Sequence, residues 1–210
     1  MENVDLGSRS DRRRTKTRDG IVRAANRLFS SQGYERTSME DISREADVAV
    51  RTIYLHFDSK AAVLLAYFDE WLDAFVDAII ARPVDELVGD TVDAALTQLS
   101  SDAWEDRTMS DSDDPHPMVE LITDGPPDIV GHILQSWVRA QDRIVEDLLA
   151  RGTFAPGSLE PRTRAAAVFA SWLATMLAVR DGYRGSGLPK YLSGNQVGAR
   201  IAHRFSEGGI

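Results

Sequence analysis

Apolar residues recur at helical spacing along nearly the whole chain, and no segment alternates with the period of two that a half-buried strand requires. The stripe Ile21, Val22, Ala25, Leu28 and Phe29 marks a helix over about residues 11–32, with Gly33 as its stop. Thr37 and Glu40 have the spacing of a capping box and open a short helix with Met39, Ile42 and Ala46 inward. Asp47-Val48-Ala49 interrupts it, and a second short helix runs from about Val50 to Phe57. A long helix starts near Lys60 and carries Leu64, Tyr67, Phe68, Trp71, Leu72, Phe75 and Ile79, ending at Pro83. Further helices are predicted over about 85–103, 118–123, 128–151 and 161–181, and Ser193 with Gln196 caps a last one through Val197, Ile201 and Phe205. The expectation is an all-α fold of nine helices.

Charge divides the chain. Residues 1–60 hold 12 Lys+Arg against 10 Asp+Glu, whereas residues 61–210 hold 12 against 23, within a total of −9. Arg9, Arg12, Arg13, Arg14, Lys16, Arg18, Arg23 and Arg27 face only Asp11 and Asp19 in the same span. Such polarity lets one end of a molecule sit on a polyanion while the other is repelled. The boundary expected from these shifts separates residues 1–60, with a basic arm over 1–18 and a helix-turn-helix over 37–57, from residues 61–210.

Composition removes several classes. The chain has no cysteine, which excludes disulfides, thiolate metal sites and a cysteine nucleophile. The polar, basic stretch Met1 to Arg14 does not read as a secretory signal. The longest weakly polar run, Ala165 to Val179, has 15 residues, short of the ~20 of a membrane span. These features agree with a cytoplasmic protein. No Gly-rich phosphate loop occurs, and Asp111, Asp113, Asp114 and His116 miss the calcium-loop pattern because Pro115 holds the fifth position and no Gly the sixth. No catalytic residue, metal site or cofactor is expected, and the chain does not read as an enzyme. The Arg-rich arm lacks interleaved aromatics, which disfavours a membrane surface as its partner.

Two short helices joined by a three-residue turn are the layout in which the second helix enters the major groove of DNA. Arg51, Thr52, Tyr54 and His56 crowd that helix and Lys60 follows, all suited to phosphate oxygens or base edges. Ile53 and Phe57, four apart, must face inward to hold it. The segment from Ile21-Val22-Arg23-Ala24-Ala25 through Ser38-Met39-Glu40-Asp41-Ile42 to Arg51-Thr52-Ile53-Tyr54-Leu55-His56-Phe57-Asp58-Ser59-Lys60 resembles the N-terminal domain of the TetR family of bacterial transcription regulators. The resemblance implies an all-α homodimer that represses or, less often, activates transcription from a palindromic operator. It also implies a divergent C-terminal domain that binds a small effector and dimerises.

By position, the resemblance implies that Thr37 caps the first motif helix and touches a phosphate. Arg51 and Thr52 meet bases or backbone, Tyr54 and His56 contact phosphates, and Lys60 starts the fourth helix. Arg12, Arg13 and Arg14 complete the expected DNA-binding set. Three positions depart from the family pattern. Asp47 stands where the turn often has Gly, and Asp tolerates a left-handed conformation better than most residues. Ala49 replaces a Ser or Thr cap, at a cost of roughly 1 kcal/mol. Leu55 stands where a polar residue is frequent and offers no polar contact to DNA.

In residues 61–210, Phe68, Trp71, Phe75, Trp104, Met118, His132, Trp137, Trp172 and Met176 are the candidates for an effector pocket, since aromatic and Met side chains line such sites. They are equally what a helical core uses. Ala165, Ala166, Ala167, Ala170, Ser171, Ala174 and Ala178 make a small-residue helix face suited to a symmetry mate or to tight internal packing. The Ala-Arg-Pro connection at 81–83 and the basic arm are similar to a branch of the family with acyl-CoA or other lipid-like effectors. The rival reading is a helical ligand-binding module that lacks sequence-specific DNA binding.

Overall fold

The computed structural model describes residues 4–101, 121–122 and 124–183. Every regular element among them is helical, and eight helices are present: α1 (Val4–Gln32), α2 (Met39–Ala46), α3 (Val50–Tyr54), α4 (Lys60–Leu64), α5 (Ala66–Ile80), α6 (Val88–Ser101), α7 (Pro127–Ala150) and α8 (Glu160–Tyr183). The all-α expectation holds. The capped helix expected over 193–205, the acidic stretch 105–117 and all but the end of the short helix at 118–123 lie outside the described residues.

The chain divides after Tyr67 into two compact units. In the first, Ile21, Val22 and Ala25 of α1 meet Met39 and Ile42 of α2, Ile53 of α3, Phe57, and Ala62, Val63 and Ala66 from α4 and the start of α5. Burying these side chains is the main stabilising contribution to a unit this small. α1 is 29 residues long, so the stretch expected as an arm forms the first turns of a continuous helix. Arg and Lys are good helix formers. The Thr15 and Thr17 hydroxyls also donate back to the carbonyls of Asp11 and Arg13, at 3.1 and 3.0 Å. α1 stops at Gly33, whose φ of 85° a side-chain-bearing residue rarely adopts, with its N–H donating to Phe29 O at 2.9 Å.

The single helix expected from Lys60 to Pro83 is interrupted at Leu65, which separates α4 from α5. Leu65 N–H still donates to Ala61 O at 2.9 Å, so the break is one residue wide. Nothing in the local contacts explains it.

The second unit buries Leu72, Phe75, Val76 and Ile79 of α5, Val92, Ala95, Leu96 and Leu99 of α6, Ile129, Ile133, Trp137, Ile144 and Leu148 of α7, and Ala165, Val168 and Phe169 of α8. Pro127 opens α7 at a position where its missing N–H costs no hydrogen bond, and Asp128 follows at the positive end of the helix dipole. Arg143 of α7 reaches Asp73 and Asp77 of α5 at 2.8 and 2.6 Å, tying the two helices along their exposed edge.

Candidate nucleic-acid interface

The cap of α2 is shifted by one residue from the sequence expectation. Ser38, not Thr37, is the N-cap: its hydroxyl accepts from Asp41 N–H at 3.1 Å, while Ser38 N–H donates to Asp41 Oδ2 at 3.0 Å. The expected Thr37–Glu40 box is therefore replaced by Ser38–Asp41. The hydroxyl and backbone N–H of Ser38 hold the Asp41 carboxyl below its ordinary pKa. Thr37 is only 2% exposed, and its hydroxyl donates to Gly33 O at 2.8 Å and accepts from Gln32 Nε2 at 3.2 Å. It closes the connection between α1 and α2. Two hydroxyl residues in sequence both fitted the pattern, and only burial selects between them.

The turn after α2 is made by Asp47 in the left-handed conformation, φ 52° and ψ 47°. Val48 N–H donates to Ser43 O at 3.1 Å, and the Ser43 hydroxyl donates to Val48 O. Asp tolerates this conformation because its short polar side chain relieves little-populated backbone geometry better than most. Ala49 then precedes α3 without a side-chain cap, as its composition requires.

α3 has five residues, ending at Tyr54 rather than Phe57, and the chain continues as a turn. Ile53 is fully buried and Phe57 nearly so, and these two pin the segment. Arg51 is exposed, Thr52 and His56 are half-buried, Tyr54 is 52% exposed and Leu55 69%. The polar groups of α3 thus lie on the side away from the core, and Leu55 presents only hydrocarbon.

The basic face of α1 adjoins this helix. Going N-terminally, the core stripe Ala25, Val22 and Ile21 is continued by Arg18 and then Arg14, one and two turns beyond the core. Arg18 Cζ lies 5.1 Å from the centre of the Phe57 ring. Partial burial, followed by the positive fields of Arg14 and Arg18, pushes the His56 pKa below its ordinary value. Arg12, Arg13 and Arg14 are all exposed. The approach of Arg14 and Arg18 to His56 was not legible in sequence, because it depends on how α1 crosses α3.

Lys60 is half-buried. Its ammonium donates to Tyr34 O at 2.8 Å and Thr37 O at 3.0 Å and sits 4.0 Å from the centre of the Tyr34 ring. It braces the loop between α1 and α2 by charge-assisted hydrogen bonds and a cation–π contact.

Of the sequence-named effector residues, Phe68, Phe75 and Trp137 are buried. Trp71 stacks on Phe75 with ring centres 5.3 Å apart, and Trp137 packs on Phe169 at 6.2 Å. His132 Nε2 lies 2.8 Å from Asp69 Oδ2, and Ser136 Oγ donates to Asp69 Oδ1 at 2.9 Å, an α5–α7 polar cluster absent from the sequence reading. Trp104 and Met118 lie outside the described residues, as do the side chains of Trp172 and Met176. A shallow cleft of about 40 Å³ lies elsewhere in the second unit, between the end of α5, the start of α6, the end of α7 and the start of α8, and none of the described residues among the nine lines it. Among the described residues no group of His, Asp and Glu could hold a metal ion, and no helix is long and apolar enough to cross a membrane.

Comparison with known proteins agrees with this geometry. Residues 21–67 match the family model described as bacterial regulatory proteins, tetR family. The HTH-type transcriptional regulator TcmR of Streptomyces glaucescens is 40% identical over 75 residues, covering 36% of this chain and 33% of that protein. The A-factor receptor protein of Streptomyces griseus is 29% identical over 166 residues, covering 79% of this chain and 55% of its own. The matched segments span about a third of the length of TcmR and of other curated relatives such as HbdR of Aromatoleum, at 33%. Thermus thermophilus FadR, a TetR-family repressor solved with lauroyl-CoA, shares the fold with a TM-score of 0.53 at 18% identity, over 92% of this chain and 95% of its own. Over residues 21–67, which span α2, the left-handed turn and α3, the chain is thus similar to the tetR family of bacterial regulatory proteins.

Proposed function

We propose that this chain is a cytoplasmic transcriptional regulator, a repressor, that binds a palindromic operator as a homodimer and is released by a small apolar or acyl-type effector. Residues 1–60 bind DNA, and residues 61–210 bind the effector and dimerise. The observation that carries the reading is the side-chain arrangement on α3. Ile53 and Phe57 fix the helix, which leaves Arg51, Thr52, Tyr54 and His56 on the accessible side with Arg14 and Arg18 alongside. Arg51 and Thr52 read base edges, and Tyr54, His56, Arg12, Arg13 and Arg14 hold phosphates. Thr37 and Lys60 act through the loop they brace.

Two chains place two α3 helices in successive major grooves about 34–36 Å apart, which makes the site palindromic. Exposed Leu134 and Val138 on α7, with exposed Ala166 and Ala170 on α8, supply apolar surface for the second copy. The aromatic residues of the second unit, with Phe75, Trp137 and Phe169 buried and half-buried Trp71 stacked on Phe75, support an apolar effector.

Selection from random DNA with the wild type and Arg51→Ala side by side tests the reading. The wild type enriches a palindrome, and Arg51→Ala enriches a changed or relaxed one. A wild type that enriches no palindrome rejects operator reading and favours a helical ligand-binding module.

A further inference from the structure

The chain keeps a helical path past the last residue of α3. Leu55 has helical angles, φ −76° and ψ −15°. Its N–H donates to Thr52 O at 3.3 Å, and the N–H groups of His56 and Phe57 both donate to Ile53 O at 2.9 Å. Side-chain directions can therefore be counted from Ile53 at about 100° per residue. Ile53 is fully buried and faces the core. Arg51, two residues before it, and Leu55, two residues after it, each point about 160° away from it and only about 40° from one another. Thr52 and Tyr54 stand to either side. Exposure agrees with this count: Thr52 is half-buried, Arg51 is exposed and Leu55 is 69% exposed against 52% for Tyr54. The crest of the segment, the part farthest from the core, is thus an arginine and a leucine.

Leucine neither donates nor accepts a hydrogen bond. In the major groove the base edges present N7, O6 and O4 acceptors and amino donors, and pressing hydrocarbon on any of them removes its water without replacing the hydrogen bond. The one apolar group displayed there is the C5 methyl of thymine, and a cytosine methylated at C5 displays the same group. Four residues of helix rise about 6 Å, against about 3.4 Å per base pair, so Leu55 and Arg51 reach positions within about two base pairs of each other.

We propose that Leu55 is a specificity-determining residue that selects a pyrimidine C5 methyl group at one position of each operator half-site, beside the base pair read by Arg51. The inference rests on the operator reading above and adds to it a residue that forms no hydrogen bond. Thymine supplies the methyl in unmodified DNA, and 5-methylcytosine supplies it in methylated DNA. Contact with Leu55 buries the methyl against the side chain, and this apolar burial is the source of the preference.

The test uses the full chain and the palindrome selected from random DNA, with thymines replaced by uracil symmetrically, one half-site position at a time. Uracil keeps every hydrogen-bonding group of thymine and lacks only the methyl. At one position, within about two base pairs of the one whose preference Arg51→Ala relaxes, the wild type loses about fourfold in affinity per half-site and about fifteenfold for the duplex. Leu55→Ala binds the thymine and uracil duplexes within about twofold of each other at that position. With guanine opposite, 5-methylcytosine there binds the wild type better than cytosine, and Leu55→Ala does not distinguish the two. A palindrome with no uracil-sensitive thymine overturns the proposal and leaves operator reading standing. So does a thymine-to-uracil ratio in Leu55→Ala equal to that of the wild type, or a wild type that binds cytosine and 5-methylcytosine equally. A wild type that enriches no palindrome overturns operator reading itself and this proposal with it. Leu55 lies outside the core of the first unit, and the uracil series on the wild type needs no variant to decide.

Discussion

Lys60→Met separates two roles for one lysine. In the structure the ammonium bridges Tyr34 O and Thr37 O at 2.8 and 3.0 Å and lies 4.0 Å from the Tyr34 ring centre. Hydrogen bonds from a charged donor contribute about 1.5–3 kcal/mol each, and the cation–π contact at a partly exposed site about 0.5–1 kcal/mol. The three share one charge, so the terms do not add. The expected loss for the whole group is about 2 kcal/mol, because the methionine stem keeps the aliphatic packing. With a urea slope of about 2 kcal/mol/M, the midpoint falls by about 1 M at unchanged slope. The companion measurement is operator affinity against salt. A bracing lysine leaves the dependence of log affinity on log salt as it was, whereas loss of a phosphate contact reduces its magnitude by about 0.9. A stability change below about 0.5 kcal/mol together with the reduced salt slope would refute the brace and return Lys60 to the DNA-contacting set.

At the turn between α2 and α3, Asp47→Ala is expected to be about 1 kcal/mol less stable than Asp47→Gly, because alanine carries the full cost of φ 52° and glycine none. Thermal unfolding of the two variants checks it, and equal midpoints would show that the turn rearranges. The His56 pKa is depressed from its ordinary 6.5 by burial, Arg14 and Arg18. Its contribution to stability is therefore complete above about 6.5 and declines as pH falls through the lowered value, since the unfolded chain takes up the proton first. Chemical unfolding between pH 7.5 and 5 should show less loss in His56→Gln than in the wild type. Finally, replacing Arg12, Arg13 and Arg14 together by alanine should flatten the salt dependence of operator binding by up to about 2.7 in log–log slope while leaving the selected motif unchanged. An altered motif would mean that these residues reach base edges.

The helical class, the position of the two short helices, the inward Ile53 and Phe57 and the left-handed Asp47 were all readable from the sequence. Each depends on neighbours within a few positions: the 3.6-residue period, a capping residue, a residue that tolerates positive φ. Even there a one-residue ambiguity survived, because Thr37 and Ser38 both precede acidic residues at capping distance, and only the burial of Thr37 against Gly33 and Gln32 assigns the cap to Ser38. The α1 start was underestimated for a related reason, since a basic polar run shows no apolar period whether it is helix or arm. What tertiary structure decided is the partner of each charge. Lys60 finds carbonyls 26 and 23 residues away, Arg143 finds carboxylates 70 and 66 away, and Arg164 finds a carbonyl 78 away. Pairing at that separation is set by the angles at which helices cross, and those follow from how whole apolar faces interlock rather than from any local pattern. The same packing buries Phe75 and Trp137 and leaves aliphatic and arginine side chains along a shallow cleft at the end of α5.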